Sequence, residues 1–229
     1  MPTALVTGAS RGLGRALALA LAERGWDLVV DARSAAPLLR VEGELRSAGA
    51  ASVAALTGDI SDPAHRQQLV AAVNGDLDLL VNNASLLGPS PQPSLADYPL
   101  DILEGVYAVN VIGALGLCQL ALPRLRPGAL LLAITSDAAV EAYPGWGGYG
   151  SSKAALEQLT AVLAAENPQL RVHAVDPGDM NTQMHAEAFP GEDISDRPDP
   201  FTVVPPLMAL IDGAPADVRV RAADVPVLA

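Results

Sequence analysis

The amino-acid sequence predicts an α/β fold in which helices cover both faces of a single doubly wound parallel sheet. Short apolar runs alternate along the chain with segments of helical length, and this alternation is typical of parallel strands joined by helices. A glycine-rich turn joins the first apolar run to the first helical segment. The 229 residues, 50% of them hydrophobic, suffice for one large core. Because no linker separates these segments, we predict one domain spanning residues 1–229.

Each predicted strand is an apolar run too short for a helix, and each predicted helix has apolar residues at helical spacing. Residues 3–7 form the first such run, and the Ala- and Leu-rich residues 13–24, which stop at Gly25, follow as the first helix. Further strands are predicted at 27–32, 52–56, 77–81, 129–135 and 171–175, and further helices at 37–47, 63–74, 100–122, 149–166 and 205–211.

The chain is acidic, with a formal net charge of −12 and a sequence pI near 4.5. An acidic surface repels nucleic acid and anionic membranes, so we expect neither as a partner and expect any phosphate to be bound at a local site. The single cysteine and three scattered histidines predict neither a disulfide nor a metal site. The first residues show no basic segment or cleavage pattern, which favours a cytoplasmic location.

One long stretch lacks charge altogether. Residues 106–122 include Asn110 and Gln119, and Pro123 follows them. Because a membrane-spanning helix needs about 20 mostly apolar residues, we expect a buried helix here instead. The low charged fraction of the whole chain, 17%, also predicts a substantial buried interface, and therefore an oligomer.

The glycine-rich turn is predicted to cradle a phosphate. Glycines at such a turn allow a tight bend and a close backbone approach, and the helix N-terminus supplies free N–H groups. The spacing Gly-x-x-x-Gly-x-Gly differs from the usual dinucleotide pattern Gly-x-Gly-x-x-Gly, and no Gly-Lys-Ser/Thr ending follows, so the turn is not a P-loop. The residues assigned to this cradle are Gly8, Ser10, Arg11, Gly12, Leu13 and Gly14.

The only lysine among the fourteen basic residues stands four places after Tyr149. Positions i and i+4 share a face of a helix, so the Lys153 ammonium is expected beside the phenol, where it would favour the ionised form. An ammonium differs from a guanidinium in being a compact charge on a flexible stem. Helical pairs of this spacing are common, so the pair suggests a chemical role only together with other motifs.

Taken with these motifs, further polar residues at strand ends make the chain resemble a short-chain dehydrogenase/reductase of the compact, single-domain type, over nearly its whole length. They are Asp59, Asn82-Asn83-Ala84, Asn110, Ser136, Pro177-Gly178 and Thr182. Ser85 departs from the pattern, which usually has glycine after Asn-Asn-Ala. Residues 218–229 lack the usual paired glycines, which leaves a seventh strand open.

The resemblance implies a Rossmann-like fold and the interconversion of a carbonyl and an alcohol by hydride transfer with a nicotinamide cofactor. In that reaction Tyr149 would be the general acid or base, and Ser136 would hold the substrate oxygen. Asn110 would help to seat a water in a relay that ends at Lys153. Lys153 would bind the nicotinamide ribose and lower the pKa of the phenol.

The resemblance also implies the remaining cofactor contacts and the assembly. Asp59 and Ile60 would contact the adenine, and Asn82 and Ala84 would line the adenosine site. The nicotinamide end would be held by Pro177, Gly178 and Thr182, with Tyr149 and Lys153 beside it. In relatives, the helices that correspond to 100–122 and 149–166 pair across a subunit boundary, which predicts a homodimer or homotetramer.

The end of the second predicted strand bears on the choice between NADP and NAD. An acid at its tip binds the adenosine 2′-hydroxyl of NAD, whereas a basic residue just beyond it receives the 2′-phosphate of NADP. Counting from Gly25, the selecting position is Ala32 and the next residue is Arg33, while strand alternation turns Asp31 to the other face. We therefore expect NADP, with Arg11 as a second cation; a register slip of one residue would place Asp31 at the ribose and favour NAD.

Alternatives to this prediction remain open at the level of sequence. The chain could be a dinucleotide-binding sensor or scaffold without catalysis, or an epimerase or dehydratase of nucleotide sugars, although residues after Thr182 leave little room for the extra domain of the latter. Residues 181–200, rich in acid and proline, are predicted to form a substrate lid. The substrate is expected to be a small carbonyl compound or alcohol that the sequence does not name.

Overall fold

The computed structural model describes residues 1–214 and 216–227, and within them it contains one seven-stranded sheet. All six pairs of neighbouring strands are parallel, in the order β3-β2-β1-β4-β5-β6-β7. The strands are β1 (Thr3–Val6), β2 (Asp27–Ala32), β3 (Ser52–Thr57), β4 (Leu77–Asn82), β5 (Leu125–Ile134), β6 (Arg171–Asp176) and β7 (Arg219–Arg221). The predicted single, doubly wound parallel sheet is thus confirmed.

The helices lie close to their predicted positions. They are α1 (Gly12–Glu23), α2 (Ala35–Ala48), α3 (Pro63–Ala71), α4 (Leu100–Tyr107), α5 (Ala114–Ala121), α6 (Gly147–Glu166), α7 (Gln183–Ala188) and α8 (Val204–Ile211). Helix α3 shows why such starts are predictable: Pro63 occupies its first turn and the Asp62 carboxylate accepts a hydrogen bond of 2.9 Å from the Ala64 N–H. Only α7 was not predicted as a helix.

Two hydrophobic cores lie on opposite faces of the sheet, because successive side chains of a strand point to opposite faces. On β2, Leu28 and Val30 pack on the side of α1, α2 and α8, whereas Val29 packs on the side of α3 and α5. Full burial of one such side chain contributes about 1.5–3 kcal/mol. The same alternation sends Asp31 and Ala32 to different sides, which positions the adenosine end of the site described below.

The predicted helix 100–122 is continuous over Leu100–Arg124, but its middle is a π-helical segment, Ala108–Gly113, between α4 and α5. The helix is long and apolar enough to cross a membrane, yet half of its most apolar window is buried inside the protein. Leu117 and Cys118, for example, belong to the core under α5. The burial agrees with the expected core helix.

The seventh strand, left open by the sequence, is present as the short β7 beside β6. Its position is fixed by a hydrogen bond of 2.6 Å from the Ala174 N–H to the Val218 carbonyl. The Arg219 guanidinium also contacts the Glu157 carboxylate of α6 at 3.1 Å. Residues 215, 228 and 229 lie outside the described residues, so the predicted domain is described here without them.

Candidate active site

A cavity of about 560 Å³ lies at the carboxyl ends of the strands, where the chain order reverses between β1 and β4. Such a reversal is the usual ligand site of an open parallel sheet. The cavity is lined by most residues predicted for the site: Gly8, Ser10, Arg11, Gly12, Leu13, Arg33, Asp59, Ile60, Ala84, Ser136, Tyr149, Lys153, Pro177, Gly178 and Thr182. Gly14, Asn82 and Asn110 lie outside its wall.

The glycine-rich turn is held in one shape by its neighbours. Gly8 and Gly12 have φ angles of +68° and +56°, which residues with a side chain rarely adopt. The Asn83 amide donates hydrogen bonds of 2.8 Å to the Thr7 carbonyl and 3.2 Å to the Gly8 carbonyl. No side chain caps the start of α1, so its first N–H groups remain available to a phosphate.

Gly14 does not touch the cavity but allows α1 to pack against the turn. A Cβ atom added there would lie 2.6 Å from the Gly8 carbonyl oxygen and 2.4 Å from the Asn83 amide nitrogen. Both distances are shorter than any ordinary contact, so a larger residue would displace the turn itself.

Replacing Gly14 with alanine is therefore expected to lower the free energy of unfolding by about 1–3 kcal/mol and to weaken NADPH binding, because the Gly8 carbonyl must move. Gly43 in α2 is a matched control, since an added Cβ there meets no atom within 4 Å. The Gly43 substitution is expected to leave binding unchanged and to keep or raise stability. Chemical denaturation and NADPH titration of both variants measure these effects, and equal NADPH affinity in the two would refute the role of Gly14.

Tyr149 and Lys153 lie on one face of α6, as the spacing predicts. The ammonium nitrogen of Lys153 is 5.5 Å from the centre of the Tyr149 ring and donates a hydrogen bond of 2.8 Å to the Ile134 carbonyl at the end of β5. Both side chains are buried, with 7% and 2% of their surface exposed. Both side chains thus border the cavity within a low-dielectric environment.

Burial controls the protonation of both groups. Desolvation lowers the pKa of Lys153 to about 8, although Glu157 opposes this change. Desolvation also raises the pKa of the Tyr149 phenol; a contribution from Ser85 lowers it, and the charges of Asp137 and Asp176 raise it further. Desolvation is the largest of these contributions, so the phenol pKa lies above its usual value, and the lowering expected from Lys153 stays a prediction.

Ser136 follows β5 directly and borders the cavity. Its hydroxyl donates a hydrogen bond of 2.9 Å to the Asp137 carboxylate and accepts one of 3.2 Å from the Ala138 N–H. Helix α6 approaches this segment closely because residue 150 is glycine: a Cβ there would lie 2.4 Å from the Ala138 carbonyl oxygen. This close packing brings Tyr149 to the same cavity wall as Ser136.

The Asn110 side chain is buried in the π-helical segment and does not reach the cavity. Its oxygen accepts hydrogen bonds from the Leu86 N–H at 2.7 Å and the Ser85 hydroxyl at 3.2 Å. Its nitrogen donates to the Leu86 carbonyl and to the Ser152 hydroxyl, both at 2.9 Å. All four bonding positions of the amide are used, so this side chain cannot seat the expected water. It instead ties the segment after β4 to α6.

Asn82 also differs from the prediction. Its amide nitrogen lies 3.1 Å from the Cys118 sulfur of α5, and its oxygen has no hydrogen-bond partner among the described residues. Because Asn82 is the last residue of β4, alternation turns its side chain toward the helices rather than toward the cavity. The residues that do line the cavity after β4 are Asn83, Ala84, Ser85 and Leu87.

The adenosine end of the cavity lies at the ends of β2 and β3. Asp31 is buried beneath the turn: its carboxylate accepts a hydrogen bond of 2.7 Å from the Gly8 N–H and lies 3.0 Å from the His65 imidazole. Arg33 borders the cavity together with Arg11 and with Arg40, which the sequence analysis did not single out. Asp31 also borders the cavity, so the choice between NADP and NAD stays a prediction.

Asp59 is fixed at the same end. Burial raises its pKa, but hydrogen bonds from Ser61 and the charges of Arg33 and His65 outweigh burial and hold the pKa below its usual value. The bonds from the Ser61 N–H and hydroxyl measure 2.8 and 2.7 Å. Asp59 is therefore an acceptor next to cationic Arg33.

The predicted lid begins over the cavity. Helix α7 lies within residues 181–200, and its Met184, His185 and Ala188 border the cavity. Thr182 caps the helix by accepting a hydrogen bond of 3.2 Å from the His185 N–H. The Arg11 guanidinium of the glycine turn bonds to Gln183 of α7. Sequence reasoning missed this contact because the two residues are 172 positions apart.

Among the described residues there is no group of three or more side chains that could hold a metal ion. The catalytic candidates Ser136, Tyr149 and Lys153 border the same cavity as the glycine turn and the arginines.

Comparisons with known proteins agree with this geometry. Residues 2–193 match the family described as short chain dehydrogenase. A benzil reductase of Saccharomyces cerevisiae that forms (S)-benzoin is 33% identical over 195 residues, which cover 80% of this chain and 73% of that protein. A short chain dehydrogenase from Pseudomonas syringae has a TM-score of 0.90 at 31% identity and covers 96% of this chain and 94% of its own. Another from Shigella flexneri, complexed with NADP, has a TM-score of 0.89 at 28% identity and covers 97% of each chain.

Proposed function

The chain belongs to the short chain dehydrogenase family and is an NAD(P)-dependent oxidoreductase, and on this premise we propose that it uses NADP to interconvert a carbonyl and an alcohol, with Ser136, Tyr149 and Lys153 as its catalytic residues. The proposal rests mainly on one observation: the phosphate cradle and the Ser136, Tyr149 and Lys153 side chains border the same cavity. A sensor or scaffold without catalysis has no need of these three groups together.

The residues present fit a dinucleotide. The positive φ angles of Gly8 and Gly12 and the uncapped start of α1 leave space and N–H donors for a pyrophosphate. Pro177, Gly178 and Thr182 border the same cavity, and we expect them to hold the nicotinamide. When bound, the cofactor supplies the hydride.

The chain's own groups would handle the proton. Ser136 would hold the substrate oxygen, and Tyr149 would donate its phenolic proton to that oxygen as the alcohol forms. Because burial raises the phenol pKa, Tyr149 stays protonated near neutral pH, which suits a proton donor in the direction of reduction. Lys153 would bind the nicotinamide ribose and pass protons toward Tyr149. Any water that completes this relay would need the backbone of the π-helical segment, since the Asn110 amide is fully used.

NADP is favoured over NAD by the charges at the adenosine end. Arg33, Arg11 and Arg40 border the cavity there, whereas the Asp31 carboxylate is already bonded to Gly8 and paired with His65. A 2′-phosphate would gain charge-assisted hydrogen bonds from these arginines, and a 2′-hydroxyl would gain little. The related structure complexed with NADP supports the same choice.

Replacing Arg33 with serine is expected to weaken NADPH binding by about tenfold to a hundredfold, the loss of one charge-assisted hydrogen bond, and to leave NADH binding within about twofold. Arg46 offers a matched control, because its guanidinium bonds to Glu42 on the exposed side of α2, and its serine variant should bind both cofactors normally. Fluorescence titration of both variants with NADPH and with NADH measures these affinities. Tighter binding of NADH than of NADPH by the native protein would overturn the assignment.

We propose in addition that the protein is a homodimer or homotetramer. Apolar side chains remain exposed along the continuous helix that contains α4 and α5, among them Leu100 at 71% and Ile112 at 58%, and Val162 of α6 is 41% exposed. Packing these helices against a second copy would bury that surface. The cytoplasmic location stays a prediction.

A further inference from the structure

Asp137 places a carboxylate directly beside the hydroxyl proposed to hold the substrate. Its Oδ1 accepts hydrogen bonds from the Ser136 hydroxyl at 2.9 Å and the Ala138 N–H at 2.8 Å, and its Oδ2 accepts one from the Tyr143 hydroxyl at 3.0 Å. A carboxylate offers about four acceptor positions, so these three donors leave room for another. Asp137 is exposed and borders the cavity, so the free position is open to a ligand.

The charge of Asp137 is not neutralised. Within the part of the chain that the structure describes, no arginine, lysine or histidine nitrogen lies within 4 Å of its carboxylate. The hydrogen bond to Asp137 is the main reason that the pKa of Tyr143 is raised, so the Tyr143 hydroxyl stays protonated and holds the carboxylate in place. The carboxylate is thus an acceptor held in a fixed direction.

The rest of the substrate end is also poor in available cations. The Lys153 ammonium is bonded to the Ile134 carbonyl, and Arg197 lies 3.8 Å from Asp179, another acid of the cavity wall. Arg33 and Arg40 follow the end of β2, and the Arg11 guanidinium is already bonded to Gln183. The acids Asp137 and Asp179 both border the cavity, so an anionic substituent beside Asp137 would meet repulsion.

The distance between the Ser136 hydroxyl and the Asp137 carboxylate determines which substituent of a substrate can contact Asp137. To hold a substrate oxygen, the Ser136 hydroxyl must turn its one proton away from Asp137, whose Oδ1 lies 2.9 Å from the Ser136 oxygen. A group on the carbon next to the reacting carbon could then donate to the acceptor position that Ser136 leaves on Asp137. The two oxygens of an α-hydroxy carbonyl compound are separated by a similar distance. A hydroxyl or ammonium group at that position could donate a hydrogen bond to Asp137.

On the basis of the proposed oxidoreductase function, we propose that Asp137 is a specificity-determining residue. It accepts a hydrogen bond from a hydroxyl or ammonium group on the carbon next to the reacting carbon, and it repels a carboxylate or phosphate there. The substrate class is therefore α-hydroxy or α-amino carbonyl compounds, and in the reverse direction vicinal diols or amino alcohols.

The proposal is tested with three small ketones, 1-hydroxypropan-2-one, butan-2-one and pyruvate. The reduction of each ketone is measured as the oxidation of NADPH. The native protein is expected to favour the hydroxy ketone over butan-2-one by about tenfold in kcat/KM, the worth of one hydrogen bond to a charged group, and to use pyruvate poorly. The Asp137→Asn variant keeps the size and the acceptor for Ser136 but removes the charge. It should lose most of the preference for the hydroxy ketone and gain about tenfold on pyruvate, while butan-2-one changes by less than about threefold.

Glu141→Gln is the matched control, since Glu141 is an exposed acid near Tyr143 that does not border the cavity, and its variant should keep the native ratios. Tyr143→Phe provides a second variant that frees the carboxylate without removing it, and it should reduce the preference in part. Unchanged substrate ratios in the Asn variant, with normal NADPH affinity, would overturn this inference and leave the proposed function standing. Failure of the native protein to oxidise NADPH with any ketone, aldehyde or diketone, or to reduce NADP with any alcohol, would overturn the proposed function and this inference together.

Discussion

Replacing Tyr149 with phenylalanine is expected to lower carbonyl reduction by about 10²–10⁴-fold, the usual contribution of a positioned general acid, while the NADPH dissociation constant changes by less than about threefold. The phenyl ring keeps the packing that the native ring makes with Leu87 and Ala138 and its edge contact with Trp146 at 5.8 Å. Only the hydroxyl is lost, so the fold and the cofactor site should persist. Steady-state NADPH oxidation and a separate NADPH titration measure the two effects.

Tyr107 supplies the control for this variant. It lies in α4, outside the cavity wall, and its phenylalanine variant should retain native turnover. A Tyr149 variant that kept most of its activity would remove Tyr149 from the mechanism. If turnover and NADPH affinity fell together and the thermal unfolding temperature dropped with them, the hydroxyl would have a structural role instead.

The fold could be predicted from the sequence because the patterns that indicate its strands and helices lie within short segments of the chain. Strands such as β1 and β4 are apolar runs buried on both faces, and a glycine turn between a strand and a helix is typical of a phosphate site in a parallel sheet. The pairing of Tyr149 with Lys153 follows from helical spacing alone, and the register of Asp31 and Arg33 follows from strand alternation. These predictions needed no knowledge of distant contacts.

What the sequence did not predict depends on partners far along the chain. Asn110 was assigned to a water, but the segment after β4 and Ser152 of α6 together use its whole amide, and no spacing rule encodes that loop conformation. The pairing of Asp31 with His65 joins residues 34 positions apart across a strand and a helix. The direction of the Tyr149 pKa depends on how deeply α6 is buried, which only tertiary packing determines.

Asp137 differs from these residues, because the sequence feature that could have identified it is local. Asp137 follows Ser136 immediately, at the end of a predicted strand, where parallel sheets bind ligands. An acid at such a position is also common in turns, so the sequence alone did not single it out. Only the structure shows that its carboxylate shares the cavity wall with Ser136 and that Tyr143, six positions further on, fixes its direction.

Replacing Lys153 with arginine is expected to lower kcat/KM by at least about a hundredfold and to weaken NADPH binding by about tenfold, although the formal charge is unchanged. The Lys153 side chain is 2% exposed, and its ammonium occupies the space between the Ile134 carbonyl and the Tyr149 ring. A planar guanidinium is larger and cannot turn its donors to both the carbonyl and a ribose hydroxyl. Burial also lowers the pKa of Lys153 to about 8, which lets it exchange a proton near neutral pH, whereas a guanidinium holds its proton.

Stability measurements separate this effect from simple overpacking. Inserting the larger group is expected to lower the free energy of unfolding by about 1–3 kcal/mol, which would leave most of the protein folded. The control is Arg46→Lys, the reverse substitution at an exposed position of α2, which should change neither NADPH binding nor turnover. Near-native kinetics in the Lys153 variant would mean that any buried cation serves at this position. In that case the compactness and proton exchange of the ammonium would have no part in the reaction, and the role proposed for Lys153 would reduce to holding charge next to the nicotinamide site.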